Sequence, residues 1–432
     1  MNTCKILFLI FLISANVIAN EKTDAVFAQN LKDQGLNPSE QSYCYTDELG
    51  NIEGNNVDMQ VRLASTSKLI TSLWAVEKIG LDHVYNLTLF IKGNDLHIKG
   101  SFDPYLGNEK MMYLISQLNE LGYTHFDKIT FDKNVLIFPD VQYETDVYPS
   151  MSPGTIKYWL NKYFNTASWS KDFKDEYLSF YSFAKSGRFR KNVTFDVTNI
   201  EYIEQNPFEN DSEVKVLTLA SPPLYKYLKE MNVKSNNYMA ETLFLEMGGV
   251  QEFEKYMSEK FNLDTNKIHF YTGSGLPSSL NGQRVDNYST CKTMLGLVSV
   301  LKKKVEDQHM TIQDVMAVPG SDKGTFRNRT FSSDLKNSIV AKTGTLMHTS
   351  TLAGAMETQK GFSFFGIFNQ STDIGGSKIV QNEMVKSIMT ELGGPLAFDY
   401  QVNVFHSYDD VVKDLILNNF SSDFTSIDGE LQ

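Results

Sequence analysis

The chain has 432 residues, and this length predicts two or three domains rather than one. Its content of 41% apolar and 21% charged residues is typical of a globular protein and excludes a largely disordered one. The formal net charge of −12 disfavours nucleic acid as a partner, because an acidic surface cannot neutralise the phosphate backbone.

The first residues have the pattern of a secretory signal peptide. Lys5 supplies a positive charge, residues 6–13 form an apolar run too short to span a bilayer, and Ala19 marks the expected cleavage site. An uncleaved N-terminal anchor is the alternative. Because no later apolar stretch reaches about 18 residues, we expect an exported protein with no stable membrane span.

Hydrophobic periodicity predicts the elements of the first half of the chain. They are a helix at 65–80, a hairpin with strands at 87–92 and 96–99, a helix at 111–121, and strands at 129–131, 135–138, 193–197 and 214–219. Residues 149–183 are rich in aromatic side chains, and helical packing is one possibility for them. The segment 86–215 is therefore predicted to be a strand-rich insertion.

Helical periodicity returns after residue 216, and the chain then ends in a sheet. Helices are predicted at 224–231, 237–246, 250–261, 289–302, 310–315 and 380–392, and strands at 338–343, 350–356 and 362–369. The predicted domains are a signal peptide (1–19), a catalytic domain in two parts (20–85 and 216–405), the insertion, and a C-terminal helix with an acidic tail (406–432).

Three short motifs stand in a fixed order on these elements. Ser65-Thr-Ser-Lys68 begins a helix, Ser235-Asn-Asn237 lies between two helices, and Lys342-Thr-Gly-Thr345 ends a strand. Each motif alone is weak evidence: a capped helix start, a surface loop and a strand end would explain them. Their joint occurrence, each in the context that a catalytic role requires, predicts one active site.

The chemistry of this site follows from the first motif. Residues i and i+3 share a helix face, so Lys68 can hold its amine beside the hydroxyl of Ser65. A serine hydroxyl needs such a base to act as a nucleophile, and positive charge from Lys342 can favour the neutral form of the amine. The helix N-terminus also places positive potential where an oxyanion would form.

Together the three motifs resemble those of the penicillin-recognising serine enzymes, and within them the low-molecular-mass class C penicillin-binding proteins. Residues 100–106, 221–224, 272–276 and 319–325 are similar to further elements of that family. The resemblance implies an α+β fold with a β-lactamase/transpeptidase-like catalytic domain, in which helices flank an antiparallel sheet. One departure is that residues 149–190 do not resemble the module nested in the family's insertion.

The resemblance also implies the roles at the scissile bond. Ser65 attacks the penultimate carbonyl of a D-Ala-D-Ala peptide, and Lys68 takes its proton. The backbone amides of Ser65 and Thr345 form the oxyanion hole, and water then hydrolyses the acyl-enzyme. β-Lactam antibiotics, which mimic the peptide, are expected to acylate Ser65 and to leave slowly.

The remaining motif residues are implied to bind the substrate and its leaving group. Ser235 relays a proton to the leaving amine, and the side-chain amide of Asn237 holds Lys68 and the substrate backbone. Lys342, with the hydroxyls of Thr343 and Thr345 on either side of Gly344, binds the terminal carboxylate or supports the site electrostatically. Asp103, within the insertion, is assigned a structural turn rather than acid catalysis.

The expected function is a serine-type D-Ala-D-Ala carboxypeptidase that acts on peptidoglycan stem peptides, with DD-endopeptidase activity also possible. A β-lactamase or esterase on the same fold is an alternative, although no obvious deacylating Glu lies in a short loop between the first two motifs. A catalytically inactive cell-wall-binding scaffold is another.

Cofactors and covalent links complete the expectations. No cofactor or metal is predicted, because serine acyl transfer needs none and no Cys or His cluster is present. Cys44 and Cys291 could form a disulfide or remain two buried thiols. The oligomeric state stays open.

Overall fold

A computed structural model describes residues 22–142, 152–183, 189–209, 211–327, 329–331, 333, 335–402, 405 and 407. The signal peptide predicted at 1–19 lies outside the described residues, and so do the C-terminal helix and acidic tail predicted at 406–432, apart from residue 407.

The helices and strands below are numbered in chain order. The helices are α1 (22–33), α2 (Ser67–Lys78), α3 (Asn108–Glu120), α4 (Pro153–Tyr163), α5 (Lys171–Phe183), α6 (Leu224–Lys234), α7 (Asn237–Glu246), α8 (Gly249–Phe261), α9 (Cys291–Glu306) and α10 (Ile374–Glu391). Among the described residues, none of these helices is both long enough and apolar enough to cross a membrane.

The strands are mostly short. They are β1 (Gln41–Thr46), β2 (Ile52–Asn55), β3 (Gln60–Arg62), β4 (Asn86–Lys92), β5 (Asp95–Lys99), β6 (His125–Phe131), β7 (Asp196–Tyr202), β8 (Lys215–Ala220), β9 (Ile268–His269), β10 (Ser278–Leu280), β11 (Gln283–Val285), β12 (Tyr288–Thr290), β13 (Ile339–Leu346), β14 (Thr349–Thr358) and β15 (Gly361–Asn369).

The chain forms two compact units, which divide after His83 and after Pro223. The first unit contains the five-stranded antiparallel sheet β13-β14-β15-β1-β2. Both faces of β14 are buried, because helices α10 and α9 both pack on this strand, and α9 also packs on β15 and β1. The α+β fold with an antiparallel sheet, predicted from the sequence, is confirmed.

The second unit is built on the mixed sheet β7-β6-β5-β4-β8. Strands β5, β6 and β7 run parallel, whereas β4 pairs antiparallel with β5 and β8. β4 alternates buried and more exposed positions, as expected for a sheet with one face on a core. That core includes Leu89 and Phe126 of the sheet and Leu114 and Leu160 of helices α3 and α4.

Two predicted elements differ in the structure. The strand predicted at 135–138 is wrong: these residues are buried but join no sheet, and Phe138 instead donates its amide to Leu106. An apolar run indicates burial, and only tertiary pairing makes it a strand. The helix predicted at 310–315 is reduced to a 3₁₀ turn, Ile312–Asp314.

Cys44 of β1 and Cys291 at the start of α9 form a disulfide, with Cα atoms 6.0 Å apart. Both residues are completely buried. The bond ties the sheet of the first unit to the helix that covers it.

Candidate active site

Ser65 lies in a short 3₁₀ turn, Ala64–Thr66, that leads directly into α2. Ala64 has a φ of 49°, in the left-handed region that a residue with a Cβ rarely adopts. Such strain persists only where the surrounding contacts impose it, and here the carbonyl of Leu63 accepts a 2.8 Å hydrogen bond from the hydroxyl of Thr351. The turn leaves Ser65 half-buried among fully buried neighbours.

Lys68 follows Ser65 by three residues and therefore lies on the same face of the helix start. Its side chain is completely buried. The Nζ atom of Lys68 lies 3.1 Å from Oγ of Ser65, and it donates hydrogen bonds to Oδ1 of Asn237 (2.6 Å) and to the carbonyl of Ser274 (2.8 Å). The amine is thus held between the serine hydroxyl and two fixed oxygens.

The turn between α6 and α7 brings Ser235 and Asn237 to this amine. Asn236 caps α7, because its Oδ1 accepts a 2.9 Å hydrogen bond from the amide of Met239. Ser235, just before the cap, has a φ of 60°. This tight left-handed turn places the second motif beside the first, although 169 positions separate Lys68 from Asn237.

Lys342 of β13 supplies a second completely buried side chain, and its amine lies beside Ser235. Its Nζ donates to Oγ of Ser235 and to the carbonyl of Thr343, both at 2.8 Å. The hydroxyls of Thr343 and Thr325 are 3.0 Å apart. Ser235 is therefore connected to the third motif rather than isolated on a surface loop.

Gly344 allows β13 to approach the nucleophile closely. A Cβ at this position would lie 2.2 Å from Oγ1 of Thr351 and 2.9 Å from the amide nitrogen of Ser65, so any side chain would collide. Thr345 is the next residue and is exposed. The backbone of β13, an edge strand of its sheet, thus passes beside the amide of Ser65.

The structure brings all five predicted catalytic residues together within the first unit: Ser65, Lys68, Ser235, Asn237 and Lys342. The predicted substrate-binding residues Thr343, Gly344 and Thr345 lie on the adjoining strand. Among the residues that the structure describes, no three His, Cys, Asp or Glu side chains are grouped so as to hold a metal ion.

Two residues beside the site were missed from the sequence. Asn287 is completely buried and donates to the hydroxyl of Ser67 (3.1 Å) and to the carbonyl of Thr272 (2.6 Å). Glu241 accepts hydrogen bonds from a loop that contacts Lys68. The spacing of Glu241, one helical turn after Asn237, could have indicated it; Asn287, which follows an aspartate before a short strand, carried no such signal.

Asp103 lies in the second unit, where its carboxylate accepts from Lys110 Nζ at 2.6 Å and from the amide of Tyr105 at 2.9 Å. The ion pair is buried, with side-chain exposures of 0% for Lys110 and 4% for Asp103. These contacts hold the turn that contains Asp103.

Comparison with known proteins gives a concordant result. Residues 197–390 match the D-Ala-D-Ala carboxypeptidase 3 (S13) family. No curated protein sequence matches the chain. Among solved structures, Bd3459, a predatory peptidoglycan endopeptidase from Bdellovibrio bacteriovorus, is 28% identical with a TM-score of 0.77, and the match covers 84% of this chain and 95% of that one.

Two further structures are informative. The penicillin G-acylated form of Bd3459, in complex with the immunity protein Bd3460, is also 28% identical, with a TM-score of 0.75 and coverage of 85% of this chain and 97% of that one. Penicillin-binding protein 4 from Haemophilus influenzae is 16% identical, with a TM-score of 0.56 and coverage of 84% and 99%, and it supports the fold alone. The chain is thus similar to the penicillin-recognising serine hydrolases, by sequence to the D-Ala-D-Ala carboxypeptidase (S13) family over residues 197–390 and by structure to Bd3459 over most of its length.

Proposed function

We propose that this enzyme is a serine DD-peptidase that trims or cleaves peptidoglycan stem peptides through an acyl-enzyme on Ser65. The observation that carries the proposal is the placement of Lys68 Nζ, 3.1 Å from the Ser65 hydroxyl and bound to the oxygens of Asn237 and Ser274. A neutral amine has two N–H groups and one lone pair. In its neutral form, an amine held at this distance by those oxygens is placed to accept the proton of the Ser65 hydroxyl.

Acylation begins when Ser65 Oγ attacks the carbonyl carbon of the penultimate D-Ala and its proton passes to Lys68. The tetrahedral oxyanion is then stabilised by the backbone amides of Ser65 and Thr345, which the close approach at Gly344 supports. The C–N bond breaks as the leaving amine receives a proton. Water completes the cycle by hydrolysing the ester.

Ser235 is suited to deliver the proton to the leaving amine, because its hydroxyl accepts from Lys342 and so can direct its own hydrogen toward the scissile nitrogen. Lys342 is suited to receive the carboxylate of the leaving D-alanine, because its amine lies beside the hydroxyl of Ser235 and a positive charge there would attract an anion. β13 is an edge strand of its sheet, and its exposed residue Thr345 marks the end at which a peptide could pair with main-chain groups as an added strand.

Carboxypeptidase and endopeptidase activities share this acylation step and differ in the leaving group. A carboxypeptidase releases D-alanine, whereas an endopeptidase releases the cross-linked stem of a second strand. The description of Bd3459 as a peptidoglycan endopeptidase supports including the second activity. Its penicillin G-acylated form supports β-lactams as covalent inhibitors of this chain.

Export to the periplasm is part of the proposal. The signal-peptide pattern of residues 1–19 supports it, as does the disulfide between Cys44 and Cys291, because structural disulfides form in oxidising compartments.

The deciding experiment is intact-protein mass spectrometry of the protein incubated with benzylpenicillin, beside Ser65→Ala. We expect a stable single adduct on the wild-type protein and none on the variant. A purified cross-linked muropeptide dimer and a D-Ala-D-Ala pentapeptide then separate endopeptidase from carboxypeptidase activity. Loss of the drug without a lasting adduct would instead indicate a β-lactamase, and an unmodified protein with intact drug would indicate an inactive scaffold.

A further inference from the structure

The loop Thr272–Leu276 forms one wall of the site around Lys68. The carbonyl of Ser274 accepts a 2.8 Å hydrogen bond from Lys68 Nζ. Gly275 has a φ of +82°, and a Cβ on it would lie 1.9 Å from the carbonyl oxygen of Ala64. The loop therefore packs directly against the residue that precedes Ser65, and a small displacement of the loop moves an acceptor of the amine.

Glu241 holds this loop from the side of α7. Its Oε2 accepts from the amide of Gly273 at 3.0 Å, and its Oε1 accepts from the amide of Ser274 at 2.9 Å. Hydrogen bonds from amides to a carboxylate are stronger than those to a neutral oxygen. One side chain thus fixes the two consecutive peptide groups that precede the Ser274 carbonyl.

Two of the oxygen acceptors of Lys68, Asn237 Oδ1 and the Ser274 carbonyl, consequently depend on one helix. Asn237 is the first residue of α7 and presents Oδ1 directly, whereas Glu241, four residues later on the same face, acts through the loop. If the Ser274 carbonyl moves, one N–H of the amine loses its acceptor. The position of the amine relative to the Ser65 hydroxyl is then less tightly fixed.

We propose that Glu241 is a positioning residue for acyl transfer, which orients Lys68 by clamping the Thr272–Leu276 loop. The proposal rests on the serine peptidase function proposed above. Glu241 touches neither the nucleophile nor Lys68 through any of these hydrogen bonds. Its effect therefore falls on the rate of acylation rather than on the initial binding of a β-lactam.

The test compares Glu241→Gln with wild type. The variant keeps the shape of the side chain but has one oxygen, and its NH₂ group faces a peptide N–H, so one clamp bond is lost. Benzylpenicillin acylation is followed by mass spectrometry over a range of drug concentrations, which separates the acylation rate constant from the dissociation constant of the prior complex. Thermal unfolding of each protein is measured in parallel.

We expect the acylation rate constant of Glu241→Gln to fall about 10- to 100-fold while the dissociation constant stays within about twofold, because small misplacements of a catalytic group cost rate rather than binding. Glu252→Gln is the matched control: Glu252 is an exposed glutamate on the neighbouring helix α8, and this variant should acylate like wild type. A wild-type rate constant for Glu241→Gln, or a loss no larger than its unfolded fraction, overturns the proposal.

A second route displaces the same loop with Glu241 intact. A Cβ on Gly273 would lie 2.3 Å from the carbonyl oxygen of Ala240, so Gly273→Ala pushes the loop away from α7. If both changes act through the loop, their effects on the rate constant are non-additive in the double variant, whereas full additivity contradicts the proposal.

Should Glu241→Gln fail to fold, Glu241→Asp, with the carboxylate retracted by one methylene, carries the same expectation and the same refutation. A wild-type protein that is never acylated would refute the proposed function itself.

Discussion

Each of the two units contains a completely buried lysine, and the two lysines bind chemically different partners. Lys68 in the first unit and Lys110 in the second are both completely buried. Lys110 binds the carboxylate of Asp103 at 2.6 Å, whereas Lys68 donates to the uncharged oxygens of Asn237 and Ser274 beside a serine hydroxyl.

The difference lies in what surrounds the amine. A buried ammonium paired with a carboxylate is held in its charged form, and removing either partner leaves a charge without compensation. An amine held by neutral acceptors can exchange a proton with its neighbour at a smaller cost, because no counter-ion is lost in the exchange. Burial alone therefore does not distinguish a structural lysine from a catalytic one; the chemistry of the partner does.

The largest effect is expected from Lys68→Met. We expect the acylation rate by benzylpenicillin to fall by about 10³-fold, since general-base catalysis typically contributes about 10²- to 10⁴-fold. The stability cost should be smaller, about 1–3 kcal/mol, because the change leaves neutral acceptors and no buried charge. Mass-spectrometric acylation kinetics and urea unfolding measure the two quantities. Retention of more than a tenth of the rate would show that another group is the base.

In the second unit, Lys110→Met should lower the stability of the protein and leave the acylation rate unchanged. This change leaves the buried carboxylate of Asp103 uncompensated, and we expect a loss of about 3–5 kcal/mol in the free energy of unfolding. The folded fraction should be acylated at the wild-type rate.

Urea unfolding of Lys110→Met and of Lys110→Met/Asp103→Asn provides the check. The side-chain oxygen introduced by Asp103→Asn can still accept from the amide of Tyr105, so the double variant should recover much of the loss; no recovery would mean that the ion pair is not the cause.

The disulfide is expected to stabilise the catalytic unit by a somewhat smaller amount. Replacing both Cys44 and Cys291 by serine should lower the free energy of unfolding by about 2–5 kcal/mol, because the bond closes a loop with a separation of 247 residues. Urea unfolding with and without a reductant is the measurement. The reductant should destabilise wild type and leave the double variant unchanged; an equal effect on both would exclude the disulfide as the source.

The sequence predicted the reactive side chains of the site better than the residues that hold them in position. Ser65, Lys68 and Lys342 could be found because reactive side chains at fixed spacing carry a local signal, and helix periodicity places Ser65 next to Lys68. Asn287 could not be found, because it contributes only through contacts made after folding. The resemblance to the family singled out residues 272–276, but the contact of Ser274 with Lys68 could not be predicted, because it is made by a backbone carbonyl, which any residue possesses.

The fold shows the same limit. β4, β5 and β13 to β15 were predicted because their alternation and turns are local. The run Val135–Phe138 has the composition of a strand but pairs with no other strand. Conversely, β1, the strand that carries Cys44, was not predicted from the sequence, although it pairs with β15 in the structure. Pairing is a tertiary property, so composition alone does not decide it.

The smallest predicted effect compares two histidines, one in each unit. Hydrogen bonds to Asp127 and then Asp196 raise the pKa of His125 in the second unit above its ordinary value of 6.5. Burial lowers the pKa of His83 in the first unit below the same value. NMR titration of the ring protons should therefore give midpoints on opposite sides of 6.5.

The two shifts have opposite consequences for stability. The contribution of His125 is complete below its unfolded pKa and is lost as pH rises through its higher folded pKa. For His83 the folded state favours the neutral ring, so stability is lost as pH falls below 6.5. His125→Gln should thus weaken the protein slightly at about pH 5 and not at about pH 9. A titration midpoint for His125 at or below that of His83 would show that the contacts of His125 with the two aspartates do not persist in solution. The pKa values of the two histidines would then not differ in the predicted direction.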